Sequence, residues 1–377
     1  MENILISGGS GFIGSNLALK LVSLGYKVNV LDNLSSQVHT DTIENSHTFK
    51  SIKDKVNFIR GDVRNRNDWQ KAISNSTIII HLASETGTGQ SMYQIEKYVQ
   101  VNCGGTALML DILSNEKHRV KKVVVASSRA IYGEGKYHSK KFGFVYPNAR
   151  DNIQMTNGQF ELLCSITKIP LLMLSTDEDS KIHPSSIYGI TKSNQEQMVH
   201  VVCKSLGISS IALRYQNVYG PGQSLSNPYT GILSVFSTRI LNNNSINIFE
   251  DGKQTRDFVF IDDVVDATVL AIQDDSIKSC SLNIGTGEST TVLKIGKLLK
   301  KLFNSEVNID ISKQYRIGDI RHNKADITKA HELIGFKPKV SFEFGIKKFV
   351  EWVKSQEIYS DMYDQSINEM KNKGLMK

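Results

Sequence analysis

Asn3-Ile4-Leu5-Ile6-Ser7-Gly8-Gly9-Ser10-Gly11-Phe12-Ile13-Gly14 decides how the rest of the chain is read. A short apolar run, Asn3 to Ser7, reads as a buried strand, and the segment that opens after the glycines reads as a helix. The three spaced glycines have separate physical tasks. Gly8 permits a tight turn, Gly11 lets backbone N–H groups approach a pyrophosphate, and Gly14 lets the helix pack close to the strand. The helix N-terminus, with Phe12 and Ile13 at its start, adds the positive end of its dipole. A glycine-rich turn without a ligand would share this pattern, so its surroundings matter. Asp32 ends a second strand-like run, Lys27 to Leu31, eighteen residues after Gly14. A carboxylate there accepts hydrogen bonds from the adenosine ribose and repels a 2′-phosphate, so the expected cofactor is NAD rather than NADP.

Further strands are expected at Val56 to Arg60, Thr77 to Leu82, Lys122 to Ser127 and Ser210 to Arg214, separated by helix-length amphipathic segments. Runs such as Ile78-Ile79-Ile80 and Val123-Val124-Val125 lack period-two alternation, as strands covered on both faces do. The expected fold class is α/β, a doubly wound parallel Rossmann-type sheet with a smaller C-terminal substrate-binding lobe. Past Arg214 the pattern loosens: a helix near Gly231 to Leu241, a strand near Asn247 to Phe249, and helices after Ile261 and Thr291. Residues 1–213 are therefore read as the NAD-binding domain, with an insertion at about 136–180. Residues 214–355 are read as mainly the substrate lobe, with some segments returning to the first domain, and 356–377 as a polar, partly mobile tail.

Bulk properties narrow the partners. The chain has 377 residues, 40% hydrophobic and 22% charged, enough for one large or two medium domains. Its net charge of +7 is spread along the chain. The densest basic runs, Lys136 to Lys141 and Lys297 to Lys301, carry no aromatic interleaving, so no nucleic-acid partner is expected. A nucleotide diphosphate suits the sign. Cys103, Cys164, Cys203 and Cys280 lie far apart and read as buried thiols rather than a zinc or redox motif. No apolar stretch reaches ~18 residues, so no membrane partner is expected and a cytoplasmic enzyme is.

Tyr188-Gly189-Ile190-Thr191-Lys192 puts a phenol and an ammonium on one helix face. An ammonium nearby favours phenolate, so Tyr188 can serve as base at a carbinol and acid at a ketone. Such a spacing also arises by chance on a surface helix. Support comes from Ser127-Ser128-Arg129-Ala130-Ile131-Tyr132-Gly133 at a strand's carboxyl end, where Ser128 can either bond a reacting hydroxyl or cap a turn.

These segments, together with LDNLSS, GDVR, HLAS, NCGGT, RYQNVYGPG, RDFVFIDD and NIGTG, resemble the extended short-chain dehydrogenase/reductase family, in its nucleotide-sugar epimerases and dehydratases. The resemblance runs from Gly8 to about Trp352. It implies Ser128, Tyr188 and Lys192 as the catalytic set. It implies that Asn33, Asp62 and Val63 lie by the adenosine, that Leu82, Ala83, Ser84, Asn102 and Tyr215 line the cofactor, and that Lys192 also holds the nicotinamide ribose. Arg129, Asn217, Ile248, Arg256, Arg316 and Asp319 fall at substrate positions. Arg316 and Arg321 belong to RIGDIRH, whose guanidinium forks suit a diphosphate or, alternatively, a salt bridge. By the same resemblance a homodimer is expected, formed through the Tyr188 helix and the helix after Asn102.

Dehydratases of the family carry Asp and Glu after the catalytic hydroxyl, and decarboxylases a Glu at the second place. Arg129 and Ala130 stand here instead. Elimination lacks its acid-base pair, which leaves redox-neutral epimerisation. Glu85 to Tyr93, Leu225 to Gly231 and Ile248 to Gly252 look like the dTDP-L-rhamnose 4-epimerase-like branch, which implies that Thr86, Gln90 and Ser91 face the sugar or else only build the turn. Alternatives are a 4-epimerase of a UDP-hexose or UDP-N-acetylhexosamine, a dehydratase or reductase, or a catalytically dead NAD-binding regulator. Sixty residues separate Ser128 from Tyr188, and relatives with this insertion carry a metal knuckle there. Its places hold Ser139, Phe142, Cys164 and Thr167, so no structural metal is expected. Packing of Phe142, Phe144, Tyr146, Phe160 and Leu162 would hold the insertion instead.

Overall fold

The computed structural model describes residues 2–39, 46–229, 231–357 and 360–377. Seven strands form the central sheet, in the order Ser279–Ile284, Ser209–Tyr215, Lys122–Ser128, Ile78–His81, Asn3–Ser7, Lys27–Asp32 and Asn57–Arg60. Every pairing among them is parallel. The first six expected strands in this sheet fall within a residue or two of their observed bounds. Ser279–Ile284 is the addition. It lies at the sheet edge and begins Ser-Cys-Ser, a polar start that hides a strand whose buried half is only Leu282, Asn283 and Ile284.

Pleating sends alternate side chains of the central strands to opposite faces. Ile4, Ile6, Ile78, Ile80 and Val124 pack on one side with Phe12–Ser23 and Ile261–Gln273. Leu5, Ile79, Val123 and Val125 pack on the other with Gly105–Asn115 and Ile187–Leu206. Two apolar layers explain why these strands show no polar alternation. Each such side chain contributes about 1.5–3 kcal/mol on burial.

Residues of the insertion form a three-stranded antiparallel patch, Gly143–Val145, Tyr137–Ser139 and Leu172–Met173. Its hold on the body differs from the expectation. Phe160 and Leu162 are buried, and Phe160 packs with Met155 and Tyr315, but Phe142 and Phe144 are 45% and 69% exposed. Lys141 and Lys136 cover those two rings from the solvent side. The knuckle places still meet: Cys164 is hydrogen-bonded by Thr167 and Ser139, which draws its thiol down to about 7. Ser139 Oγ accepts from the backbone N–H of Lys141 and Phe142, both at 3.4 Å. Hydrogen bonds thus shape the turns where relatives place a metal. Among the described residues no three His, Cys, Asp or Glu side chains form a metal cluster.

The C-terminal residues depart from the polar, partly mobile tail that was expected. Tyr363–Asn372 is a helix, and Tyr363, Ile367 and Met370, at spacings of four and three, are buried with Met376. No helix among the described residues is long and apolar enough to cross a membrane.

Candidate active site

One cleft of about 570 Å³ runs along the carboxyl ends of the strands and reaches the C-terminal lobe. At its floor lies the glycine turn. Gly8 has φ +72°, and a Cβ there would sit 2.7 Å from Ala83 N; a Cβ on Gly14 would sit 2.4 Å from Gly8 O. Those two glycines are required by the protein's own backbone. Gly11 is different: a Cβ would meet only Gly8 O, at 3.4 Å, and would project toward the cleft. Its bare backbone leaves room for a close-lying ligand, which is the fit a pyrophosphate needs. Phe12 and Ile13 flank this floor, and Asn33, Val63, Leu82, Ala83, Ser84 and Tyr215 also line the cleft.

Asp32 lines the cleft beside the glycine turn. Its two carboxylate oxygens accept from Ser10 N and Leu34 N, each at 2.9 Å, which fixes the group at the cleft wall. His39, unnoticed in the sequence, lies 3.9 Å away, is nearly fully buried, and has its imidazole pushed toward the neutral form by burial. Asp62 does not line the cleft. Arg64 and Asn33 hold it, and the guanidinium draws its carboxyl down to about 2. Asn102 is also absent from the cleft wall. It lies on a wide helical turn, Val99–Gly104, and clamps Glu85 through its backbone N–H and C=O. It therefore shapes the wall from behind.

The strand Lys122–Ser128 delivers Ser128 to the cleft, and the helix Ile187–Leu206 delivers Tyr188 and Lys192. Ser186 caps that helix by accepting from Gly189 N, and Gly189 is pressed against Ala130 O, so a Cβ there would sit 2.5 Å from it. The close approach brings Ser128 within hydrogen-bonding reach of the Tyr188 phenol. Tyr188 is largely buried and reaches the cleft. Burial raises its pKa, while Ser128 and the Arg129 guanidinium favour phenolate. Lys192 departs from its expected role as the phenol's neighbouring cation. Its ammonium donates to Gln195 Oε1 at 2.7 Å, one turn along the same helix, because a buried ammonium needs an acceptor. Burial draws that ammonium down to about 7. Gln195 continues to Thr106 and His81, a polar chain that no sequence motif announced.

Beneath Ser128 a buried network fixes the strand end. Ser127 Oγ donates to Glu196, which pairs with Arg214 at 2.6 Å, and Arg214 donates to Tyr132.

On the opposite wall, Thr86, Arg129, Asn217, Arg256, Arg316 and Asp319 line the cleft. Asp319 binds both Arg256 (3.0 Å) and Arg316 (2.9 Å), and these cations hold its carboxyl far below the usual range. Arg256 spends its other donors on the carbonyls of Thr255, Ile320 and Arg321. Arg316 and Arg129 keep the greater freedom. Three other expected contacts point elsewhere. Gln90 bonds Gln37 and Tyr98; Ser91 accepts from Tyr188 N; and Ile248 is fully buried in the core. Strand pleating explains the last: Asn247 and Phe249, on either side of Ile248, face the cleft instead. Arg321 is fully buried among Glu161, Glu250 and Asp251 and does not face the cleft. The insertion lines none of the cleft, but it braces this wall from behind through Glu161 and through Arg150, which donates to Asp319 O.

A family model described as the NAD dependent epimerase/dehydratase family matches residues 4–149 and 167–285. The chain belongs to this family. A curated relative, the dTDP-L-rhamnose 4-epimerase of Burkholderia thailandensis, is 33% identical over 95% of this chain and 96% of its own. A putative UDP-glucose 4-epimerase of Methanocaldococcus jannaschii is 32% identical, covering 93% and 98%. Among solved structures, UDP-glucuronic acid 4-epimerase of Bacillus cereus, in complex with UDP-glucuronic acid and NAD, superposes with a TM-score of 0.76 at 27% identity, covering 93% and 99%. UDP-glucose 4-epimerase of Thermotoga maritima, with UDP-glucose, gives 0.71 at 31%, covering 93% and 98%. This NAD-dependent family member is an isomerase of the nucleotide-sugar 4-epimerase kind.

Proposed function

We propose that the protein interconverts dTDP-L-rhamnose and dTDP-6-deoxy-L-talose by inverting carbon 4 through a transient 4-keto sugar. The observation that carries the reaction type is the pairing of Ser128 and Tyr188 at the cleft with no carboxylate beside them at positions 129 and 130. The likeness to the B. thailandensis enzyme, full-length on both sides, supports the sugar.

The NAD that Gly11, Asp32 and Tyr215 would hold along the cleft would supply reversible hydride acceptance at carbon 4. Tyr188 removes the 4-hydroxyl proton, and Ser128 orients that hydroxyl and steadies the oxygen as its charge changes. Arg129 supplies positive charge near the phenol, and Lys192, held by Gln195 at the cleft, would bond the nicotinamide ribose. Arg316, oriented by its ion pair with Asp319, holds the diphosphate end, so that the nucleotide stays while the sugar turns over. The Ser128 side of the pocket must admit both faces of the ketone.

Incubating the protein with a panel of dTDP- and UDP-sugars, without added cofactor, tests this. Inversion at carbon 4 of dTDP-L-rhamnose in preference to UDP-glucose is the expected result. Preference for a UDP-hexose, the second reading favoured by the M. jannaschii and T. maritima relatives, would replace the sugar; loss of water or net consumption of NADH would replace the reaction. The homodimer belongs to the same proposal. Ile190 and Val201 on the Tyr188 helix are 43% and 70% exposed, and Val99 beside the partner helix 44%, which suits apolar surface awaiting a second copy. Sedimentation at micromolar concentration should give twice the chain mass.

A further inference from the structure

We propose that the C-terminal residues 361–377 are part of the nucleotide-sugar site, with Tyr363 closing the nucleobase slot against Phe249 and Met370 covering the sugar end. The proposal rests on the nucleotide-sugar chemistry of the family and not on which sugar is bound.

The segment is built into the cleft. Its last residues add an antiparallel strand to the loop that carries Arg316: Tyr315 N donates to Lys377 O at 2.8 Å, Lys377 N to Tyr315 O at 3.1 Å, and Ile317 N to Leu375 O at 2.9 Å. Its start is tied to the lobe by Arg239, which pairs with Asp361 at 3.2 Å and lies 4.5 Å over the Tyr363 ring. In its middle, Glu369 accepts from Tyr229 Oη at 2.5 Å, and Tyr229 in turn accepts from Tyr93. Three independent anchors hold one short helix across an open groove. Nothing in the core requires this, since the sheet's two apolar layers close without it.

Its inward face is fitted to a ligand. Tyr363, Ser366, Ile367 and Met370 line the cleft. The Tyr363 ring lies nearly parallel to Phe249, 22° apart, with centroids at 6.5 Å, and Arg316 covers the Phe249 ring at 5.4 Å. Tyr363 is 7% exposed, and its Oη faces the Asn247 side chain, with that Oη and Asn247 Oδ1 both shielded from solvent. That neighbour helps to fix the Tyr363 ring at the cleft wall. A flat pyrimidine suits a slot walled by the Tyr363 and Phe249 rings. Met370 stands seven residues on, about 10 Å along the helix axis, and its Sδ is 3.1 Å from where a Cβ on Gly89 would stand. Gly89 lies in the short helix Thr88–Ser91 that follows Thr86 at the proposed sugar end, so the terminal helix spans the cleft from base to sugar.

Titration calorimetry with dTDP and with UDP, on the full-length NAD-loaded protein, tests the strap. Tyr363→Ala should weaken both by tenfold or more, and Tyr363→Phe, which keeps the ring and deletes the hydroxyl that faces Asn247, by a smaller factor. Met370→Lys should leave dTDP affinity unchanged and raise KM for the nucleotide sugar. Bound NAD and the melting temperature of Tyr363→Phe should match wild type. Nucleoside diphosphate affinity within twofold of wild type in both Tyr363 variants would overturn the proposal. So would parallel loss of NAD and nucleotide, which marks a merely structural role. If wild type binds dTDP but inverts no sugar, the functional reading fails while the strap stands.

Discussion

The two walls of the cleft are built by different means. The wall we assign to NAD is backbone: Gly8 and Gly14 sit where any side chain would collide with main-chain atoms, and the strands behind them are sealed by apolar layers. The wall we assign to the sugar nucleotide is side chains: Arg256, Arg316 and Asp319 in front, Arg150, Arg321, Glu161 and Glu250 behind, and a terminal helix across the opening. A backbone wall can be identical in every relative. A wall of ion pairs can be re-cut by exchanging a few residues, which is where one scaffold gains different sugars.

Variants should separate the walls, the largest effect coming where they meet. Tyr188→Phe should lower kcat by about 10²–10⁴-fold, while NAD content, read by absorbance after denaturation, stays that of wild type. On the sugar side, Arg321→Met leaves three carboxylates around an uncharged side chain. Equilibrium denaturation should show a loss of about 3–5 kcal/mol, with NAD binding retained in the surviving folded protein. The NAD wall should respond in a graded way. Gly14→Ala, whose Cβ has 2.4 Å to Gly8 O, should cost about 1–3 kcal/mol of stability. Gly11→Ala, with 3.4 Å of room, should fold normally and lose NAD, so equal stability losses for the pair would break the distinction between them.

The smallest effect concerns pH. Tyr188 must be deprotonated to act as base, and burial raises its pKa while Arg129 lowers it. Activity should therefore rise with pH through the tyrosine's titration. Arg129→Met removes a cation, so the acid limb of kcat/KM should move to higher pH, by up to about one unit. An unmoved limb would show that Arg129 does not act on the phenol.

Legibility followed the same division. Strand positions and the glycine turn were readable because burial on both faces and backbone crowding restrict residue type at each position. Ser279–Ile284 was hidden by its polar edge-strand start. On the sugar side, the resemblance placed Ile248 and Gln90 in the cleft, but side-chain direction decides that, and pleating turned Ile248 inward and Phe249 outward. Arg321 looks like a diphosphate fork in RIGDIRH, yet its partners Glu161, Glu250 and Asp251 come from segments that no local pattern joins. Lys192 lies on the expected helix face, but its acceptor Gln195 was unmarked. The terminal helix did carry a signal, Tyr363, Ile367 and Met370 at helical spacing, which its overall polarity masked.

Hydrogen retention is the most direct test of the central claim, that a Ser128–Tyr188 pair drives redox-neutral inversion on a bound NAD. Proton NMR of dTDP-L-rhamnose turned over in D₂O should show the C4 epimer with its original hydrogen still on carbon 4, and no deuterium at carbons 3 or 5. Deuterium on the sugar ring, or a product short of one water, would contradict it.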